Sequence, residues 1–166
     1  MVSTELKKNI IVWQSGYSVK IKLLDEQHMH LVKLTNRLFA SCLSGREKSR
    51  VAFQETIREA VDYVGYHFST EEKLMERVNY PDIKSHKKEH VDFVREVFIK
   101  LEEFSSGKIL APINFVYFLR DWILNHIAVC DKKMGNYFLA MHQSGELHKI
   151  TFKVKRDEAA NRIHIR

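Results

Sequence analysis

The stretch His67-Phe68-Ser69-Thr70-Glu71-Glu72-Lys73-Leu74-Met75 sets a histidine and a glutamate four residues apart inside an apolar stripe. On a helix that spacing separates two side chains by about 40° around the axis and ~6 Å along it, so His67 and Glu71 aim at one point beside the helix. The stripe consists of Ile57, Val61, Val64, Phe68, Glu71 and Met75, which share one face of a helix predicted over residues 48–78. Asn79-Tyr80-Pro81 ends it. A proline disfavours helix in the residue before it yet suits a first helical turn, so this tripeptide marks a stop and a restart.

Three more segments carry the helical period. Residues 25–43 repeat His28, Leu31, Thr35, Leu38 and Phe39 on one face before Gly45. A third helix runs over 81–104 and is closed by Ser105-Ser106-Gly107; a fourth runs from Pro112 past Trp122 and His126 to about Ala140. Short loops between long helices force antiparallel neighbours, which predicts an all-α, up-down-up-down four-helix bundle. Residues 1–141 form that bundle together with an N-terminal arm, residues 1–19, that packs across it with Trp13 as its anchor. Residues 142–166 form a short basic C-terminal extension.

A chain of 166 residues, 45% apolar and 29% charged, is long enough for one domain with a real core and too short for two. Cys42 and Cys130 form neither a CxxC pair nor a disulfide-dense pattern and read as reduced thiols in a cytoplasmic protein. The apolar run 10–13 is too short for a signal-peptide core or a membrane span, so no membrane insertion is expected. The net charge of +6 raises nucleic acid or an acidic surface as a partner. About half of that excess, six basic against three acidic groups, lies in residues 146–166. Residues 150–155 and 162–166 alternate apolar and polar side chains, which suggests a hairpin or edge strand. This extension is expected to contact an acidic protein partner or to be a frayed terminus, with self-association as a further candidate; it lacks the stacked aromatics of a nucleic-acid site.

Two further signatures repeat the theme of residues 67–71: His86-x-x-x-His90 and His126-x-x-x-x-Asp131, with His28 in Asp25-Glu26-Gln27-His28 upstream. With nine histidines in the chain, about one such pair of each kind is expected by chance, so a single pair says little. Their coincidence says more. His28, His67 and His126 interrupt apolar stripes on separate helices and would point inward. An unpaired buried polar group costs about 1–3 kcal/mol, and several would threaten a domain stable by only ~5–15 kcal/mol. A metal centre resolves that conflict. Nitrogen and oxygen donors without thiolate favour iron or manganese over structural zinc, although affinity alone does not exclude zinc. The Glu-x-x-His signature of ferritin-like carboxylate bundles is absent. His126 and Asp131 diverge by about 140° on a regular helix, so both reach one site only if the turn between residues 127 and 131 is widened into a π-bulge.

These motifs resemble the hemerythrin family, specifically its bacterial single-domain members. The likeness covers about residues 10–140: Trp13 and Tyr17-Ser18-Val19, the Asp25–His28 motif, residues 67–75, Tyr80-Pro81 with His86-Lys87-Lys88-Glu89-His90, and Trp122-Ile123-Leu124-Asn125-His126 with Asp131-Lys132-Lys133. The resemblance implies two iron ions in a non-haem di-iron centre, bridged by Glu71, Asp131 and a solvent-derived oxygen. It further implies that His86, His90 and His126 serve one iron, while His28 and His67 serve the other and leave a position open for dioxygen. The function so implied is reversible dioxygen binding for transport, storage or supply. An oxygen- or redox-sensing signalling module and a di-iron oxidase or peroxide-handling enzyme are the alternatives. Leu31, Phe68, Trp122 and Ile123 neighbour the implied ligands at helical spacings and are expected to wall an oxygen pocket, with Trp13 as its cover; a water-poor wall slows autoxidation. His30, His142, His148 and His164 are expected to be surface histidines, Cys130 a buried inert thiol, and Cys42 without a functional signal.

Overall fold

Four amphipathic helical rods build the computed structural model, which describes residues 9–43, 46–106 and 111–146. The first three are α1 (Lys22–Leu43), α2 (Arg46–Arg77) and α3 (Ile83–Ser105). The fourth is α4 (Ala111–His126), a π-helical turn (Ile127–Asp131) and α5 (Lys132–Gln143) in unbroken succession. Every named element among the described residues is helical; one 3-10 turn, Ser15–Tyr17, lies in the arm. α1 packs on α2 and α4, and α3 packs on the same two helices, which closes the square of a four-helix bundle.

Each rod follows from its stripe. Leu24, Leu31, Leu34 and Leu38 of α1 are buried against Phe53, Ile57, Phe68 and Met75 of α2, Phe93 and Val97 of α3, Phe115, Val116, Leu119 and Ile123 of α4, and Met134 and Phe138 of α5. At about 1.5–3 kcal/mol for each large apolar side chain removed from water, this face holds the bundle together. Val61, expected on the inner face of α2, is 39% exposed at the rim of the α2–α3 seam.

α2 ends as its sequence requires. Asn79 takes the left-handed conformation (φ 51°), the Tyr80 N–H reaches back to the Met75 carbonyl at 2.9 Å, and the Asn79 N–H reaches Glu76 at 3.3 Å. This is a Schellman closure with a buried tyrosine following the left-handed residue, and Pro81 then prevents continuation. The last rod runs beyond residue 140 to Gln143 because Tyr137, Phe138 and Met141 prolong its apolar face.

The widened turn is present. The Lys132 N–H is bonded to the Ile127 carbonyl, five residues back, while His126 and Lys132 on either side keep ordinary helical angles. The extra residue turns Asp131 onto the face that carries His126, at the cost of one irregular turn.

The arm is stitched to the bundle by polar side chains. Asn36 accepts the Ile10 and Ile11 N–H groups at 2.9 and 3.0 Å and donates to the Ile11 carbonyl at 2.8 Å. Asp25 accepts the Val19 N–H at 2.8 Å and the Ser18 hydroxyl at 2.6 Å; Lys132 donates to the Gly16 and Ser18 carbonyls. Ile11 and Val19 are fully buried residues of the arm, and Trp13 packs half-buried against the core. The strand-like reading of residues 150–155 and 162–166 lies outside the described residues, as do His148 and His164.

Candidate metal centre

Seven side chains from all four rods converge in the half of the bundle that holds the π-turn. His28 comes from α1, His67 and Glu71 from α2, His86 and His90 from α3, His126 from the end of α4, and Asp131 from the π-turn. None is more than 3% exposed. Their donor atoms form two groups, Glu71 with His86, His90 and His126, and Glu71 with His28, His67 and Asp131.

The carboxylates divide their oxygens between these groups. Glu71 Oε1 lies 3.7 Å from His28 Nε2 and 3.6 Å from His67 Nε2, while Oε2 lies 3.3 Å from His86 Nε2 and 3.2 Å from His90 Nε2. Asp131 Oδ2 faces His28 Nε2 at 3.1 Å, and Oδ1 faces His126 at 3.1 Å and His86 at 3.4 Å. Each carboxylate therefore presents one oxygen to a three-histidine set and the other to a two-histidine set.

The polar atoms at the centre are otherwise stranded. His28 Nε2, Glu71 Oε1 and both oxygens of Asp131 are buried there without a hydrogen bond, as are Nδ1 of His28 and of His126 on the far side of their rings. His90 Nε2 and His126 Nε2 stand 3.2 Å apart. Leaving such groups unpaired costs about 1–3 kcal/mol each, so the cluster needs a charge at its centre. Cations fit. Donors about 2.1 Å from an octahedral ion lie about 3 Å from their neighbours, close to the separations found here. Imidazole and carboxylate without thiolate suit iron or manganese.

Burial and charge oppose each other in this site. Burial pushes the His28 imidazole down, but Asp131 and Glu71 beside it reverse the effect and leave it raised to about 9. His126 is likewise opposed by burial and lifted by Asp131, to about 10. For His67 burial prevails and the pKa falls to about 4. Burial raises Glu71 and Asp131, yet the surrounding imidazoles hold both below the ordinary carboxylate range. In the absence of metal the centre therefore stores protons on His28 and His126.

An outer layer orients two of the rings. His67 Nδ1 lies 2.9 Å from Gln27 Oε1, and His90 Nδ1 lies 3.0 Å from Glu72 Oε1. Sequence reasoning missed both partners, because each approaches its histidine from another part of the bundle. Gln27 stood out only as part of the motif before His28, and Glu72 only as the neighbour of Glu71.

The expected wall residues are distributed unevenly. Phe68 lies parallel on the His90 ring at 3.7 Å between centroids and also neighbours His67 at 5.9 Å. Trp122 stacks on His126 at 4.3 Å, which puts it on the three-histidine side. Trp13 stands 6.3 Å from His28, on the two-histidine side. Leu31 and Ile123 are buried in the adjoining core. Outside the centre, His30 is half-buried against the Tyr63 ring at 4.2 Å rather than lying free on the surface, and His142 is exposed. Cys130, expected to be buried, is half-exposed; Cys42 is a free thiol that burial pushes up to about 11.

Residues 19–138 match the family model described as hemerythrin HHE cation binding domain. The chain is 32% identical over 143 residues to a bacteriohemerythrin of Stenotrophomonas maltophilia, covering 82% of this chain and 91% of the relative. It is 34% identical over 139 residues to a bacteriohemerythrin of Pseudomonas aeruginosa, covering 84% and 87% respectively. Among solved structures, a wild-type hemerythrin crystal structure superposes with a TM-score of 0.69 at 27% identity, over 76% of this chain and 96% of the other.

Proposed function

The chain belongs to the hemerythrin HHE cation-binding family, and from that premise we propose that it binds dioxygen reversibly at a non-haem centre of two iron ions, as an oxygen carrier, store or supplier in the cytoplasm. The observation that carries this reading is the division of Glu71 and Asp131 between two histidine sets. His86, His90 and His126 with one oxygen from each carboxylate offer five donors to one ion. His28 and His67 with the remaining oxygens offer four to the other. The shorter set is the one with room for an exogenous ligand.

Two ferrous ions held there would supply the electrons that reversible dioxygen binding requires. The chain's own residues do the rest. Glu71 and Asp131 set the separation of the two positions and offset their positive charge. Gln27 and Glu72 fix the rings of His67 and His90 so that Nε2 faces inward. Leu31, Phe68 and Ile123, each no more than 6% exposed, keep water from the centre, and Trp13 covers the His28 side. A dry, apolar surround disfavours the escape of charged reduced-oxygen species, which suits a carrier better than an enzyme that must admit a polar substrate.

The test is an optical spectrum of protein loaded anaerobically with ferrous iron, recorded as oxygen is admitted and then removed. A charge-transfer band that appears and disappears over repeated cycles is the expected result. Immediate and permanent conversion to a diferric spectrum would replace oxygen carriage with sensing or oxidase chemistry.

A further inference from the structure

The two histidine sets differ in the partner behind them. On the two-histidine side the Thr70 hydroxyl donates to the Tyr66 carbonyl at 2.9 Å, so its lone pairs are free to accept from Gln27 Nε2 at 3.3 Å. That turns the Gln27 carbonyl toward His67 Nδ1 at 2.9 Å. A carbonyl only accepts, so Nδ1 carries the hydrogen and His67 Nε2 presents its lone pair to the centre. This partner is a neutral amide, 3% exposed. On the three-histidine side, His90 Nδ1 meets a carboxylate: Glu72 Oε1 at 3.0 Å, with Lys87 Nζ 3.3 Å from Oε2. Lys87 also pairs with Glu76 at 2.6 Å, which anchors the ammonium beside Glu72.

A carboxylate behind a ligating imidazole makes the ring a stronger donor and adds negative charge near the ion, whereas an amide fixes the ring without either effect. We propose that Glu72 and Gln27 are positioning residues that make the two metal positions unequal: the Glu72–His90 pair makes the three-histidine position the tight, first-filled one, and the Gln27–His67 pair keeps the two-histidine position the weaker one. The difference in histidine number already favours this order, and the outer layer enlarges it. The inference rests on the two-ion reading above and does not depend on dioxygen.

The test is an anaerobic titration of the full, metal-free chain with cobalt(II), whose visible absorption reports each filling step. The wild-type protein fills in two resolved steps. Glu72→Gln preserves the shape and the hydrogen-bond acceptor while removing the charge, and it weakens the first step by about ten- to a hundredfold, leaving the second nearly unchanged. Gln27→Glu does the converse, strengthening the second step so that the two converge. Because that glutamate is placed in a buried position, Gln27→Leu is the companion variant, and it weakens the second step alone. A first step that changes less than about threefold in Glu72→Gln, or an equal loss in both steps, overturns the proposal, since a merely structural role would weaken both. A single filling step in the wild-type protein would instead refute the two-ion reading itself.

Discussion

His28 and His126 govern the electrostatics of the metal-free centre, and their titration gives the first prediction. Raised to about 9 and about 10 from 6.5, they contribute stability that is complete below about pH 6.5 and is lost as pH rises through the folded values. Glu71 and Asp131, held low, contribute in the other window: their share is present above the ordinary carboxylate range and disappears as pH falls through the depressed values. His67, lowered to about 4, opposes folding increasingly as pH falls from about 6.5 to that value and by its full amount below it. The urea midpoint of metal-free protein should therefore fall between about pH 7 and about pH 9.5; a flat profile would mean that the carboxylates do not hold protons on these rings. At this scale the sequence was informative about the inner residues, because His67 with Glu71 and His86 with His90 lie at helical spacing inside or beside apolar stripes. It was silent about Gln27 and Glu72. Hydrogen bonds between helices depend on rotation and relative height of the rods, which no spacing within one segment reveals.

Two glycines on different helices report how the elements meet, and the same kind of substitution should have opposite effects at them. At Gly135 of α5 an added Cβ would overlap the Val19 carbonyl oxygen, so the arm crosses the helix where only glycine fits. Gly135→Val is expected to destabilise the protein by about 1–3 kcal/mol and to shift Trp13 fluorescence as the arm lifts. At Gly65 of α2 an added Cβ meets nothing within 4 Å. Gly65→Ala should stabilise by about 0.5–1 kcal/mol through helix propensity alone. Thermal melts of the two variants check both signs, and a neutral Gly135→Val would show that the arm is not tightly docked. The π-turn was the most legible irregularity, since the five-residue step from His126 to Asp131 conflicts with a regular helix if both face inward. Helix ends were less so. α1 begins at Lys22, three residues before the first motif, and α5 persists to Gln143, because packing against the arm and neighbouring rods extends segments beyond their clearest periodicity.

On the scale of the whole molecule, the bundle and the centre depend on each other in an asymmetric way. The aromatic end, where Phe53 packs on Phe104 at 5.0 Å and Phe115 at 6.1 Å, holds the rods together through apolar packing. The opposite half concentrates seven buried polar side chains that need cations. The four-rod plan could be read in advance because each stripe has one apolar face and the breaks between them are short. Val61 departed from expectation because periodicity identifies a face without giving its depth, and it reached the rim of a seam. One chain is expected to hold two ions through carboxylates shared by two histidine sets. Native mass spectrometry of protein titrated anaerobically with ferrous iron tests it most directly. Saturation at two irons per chain is the predicted result; saturation at one, or no retained iron, would contradict it.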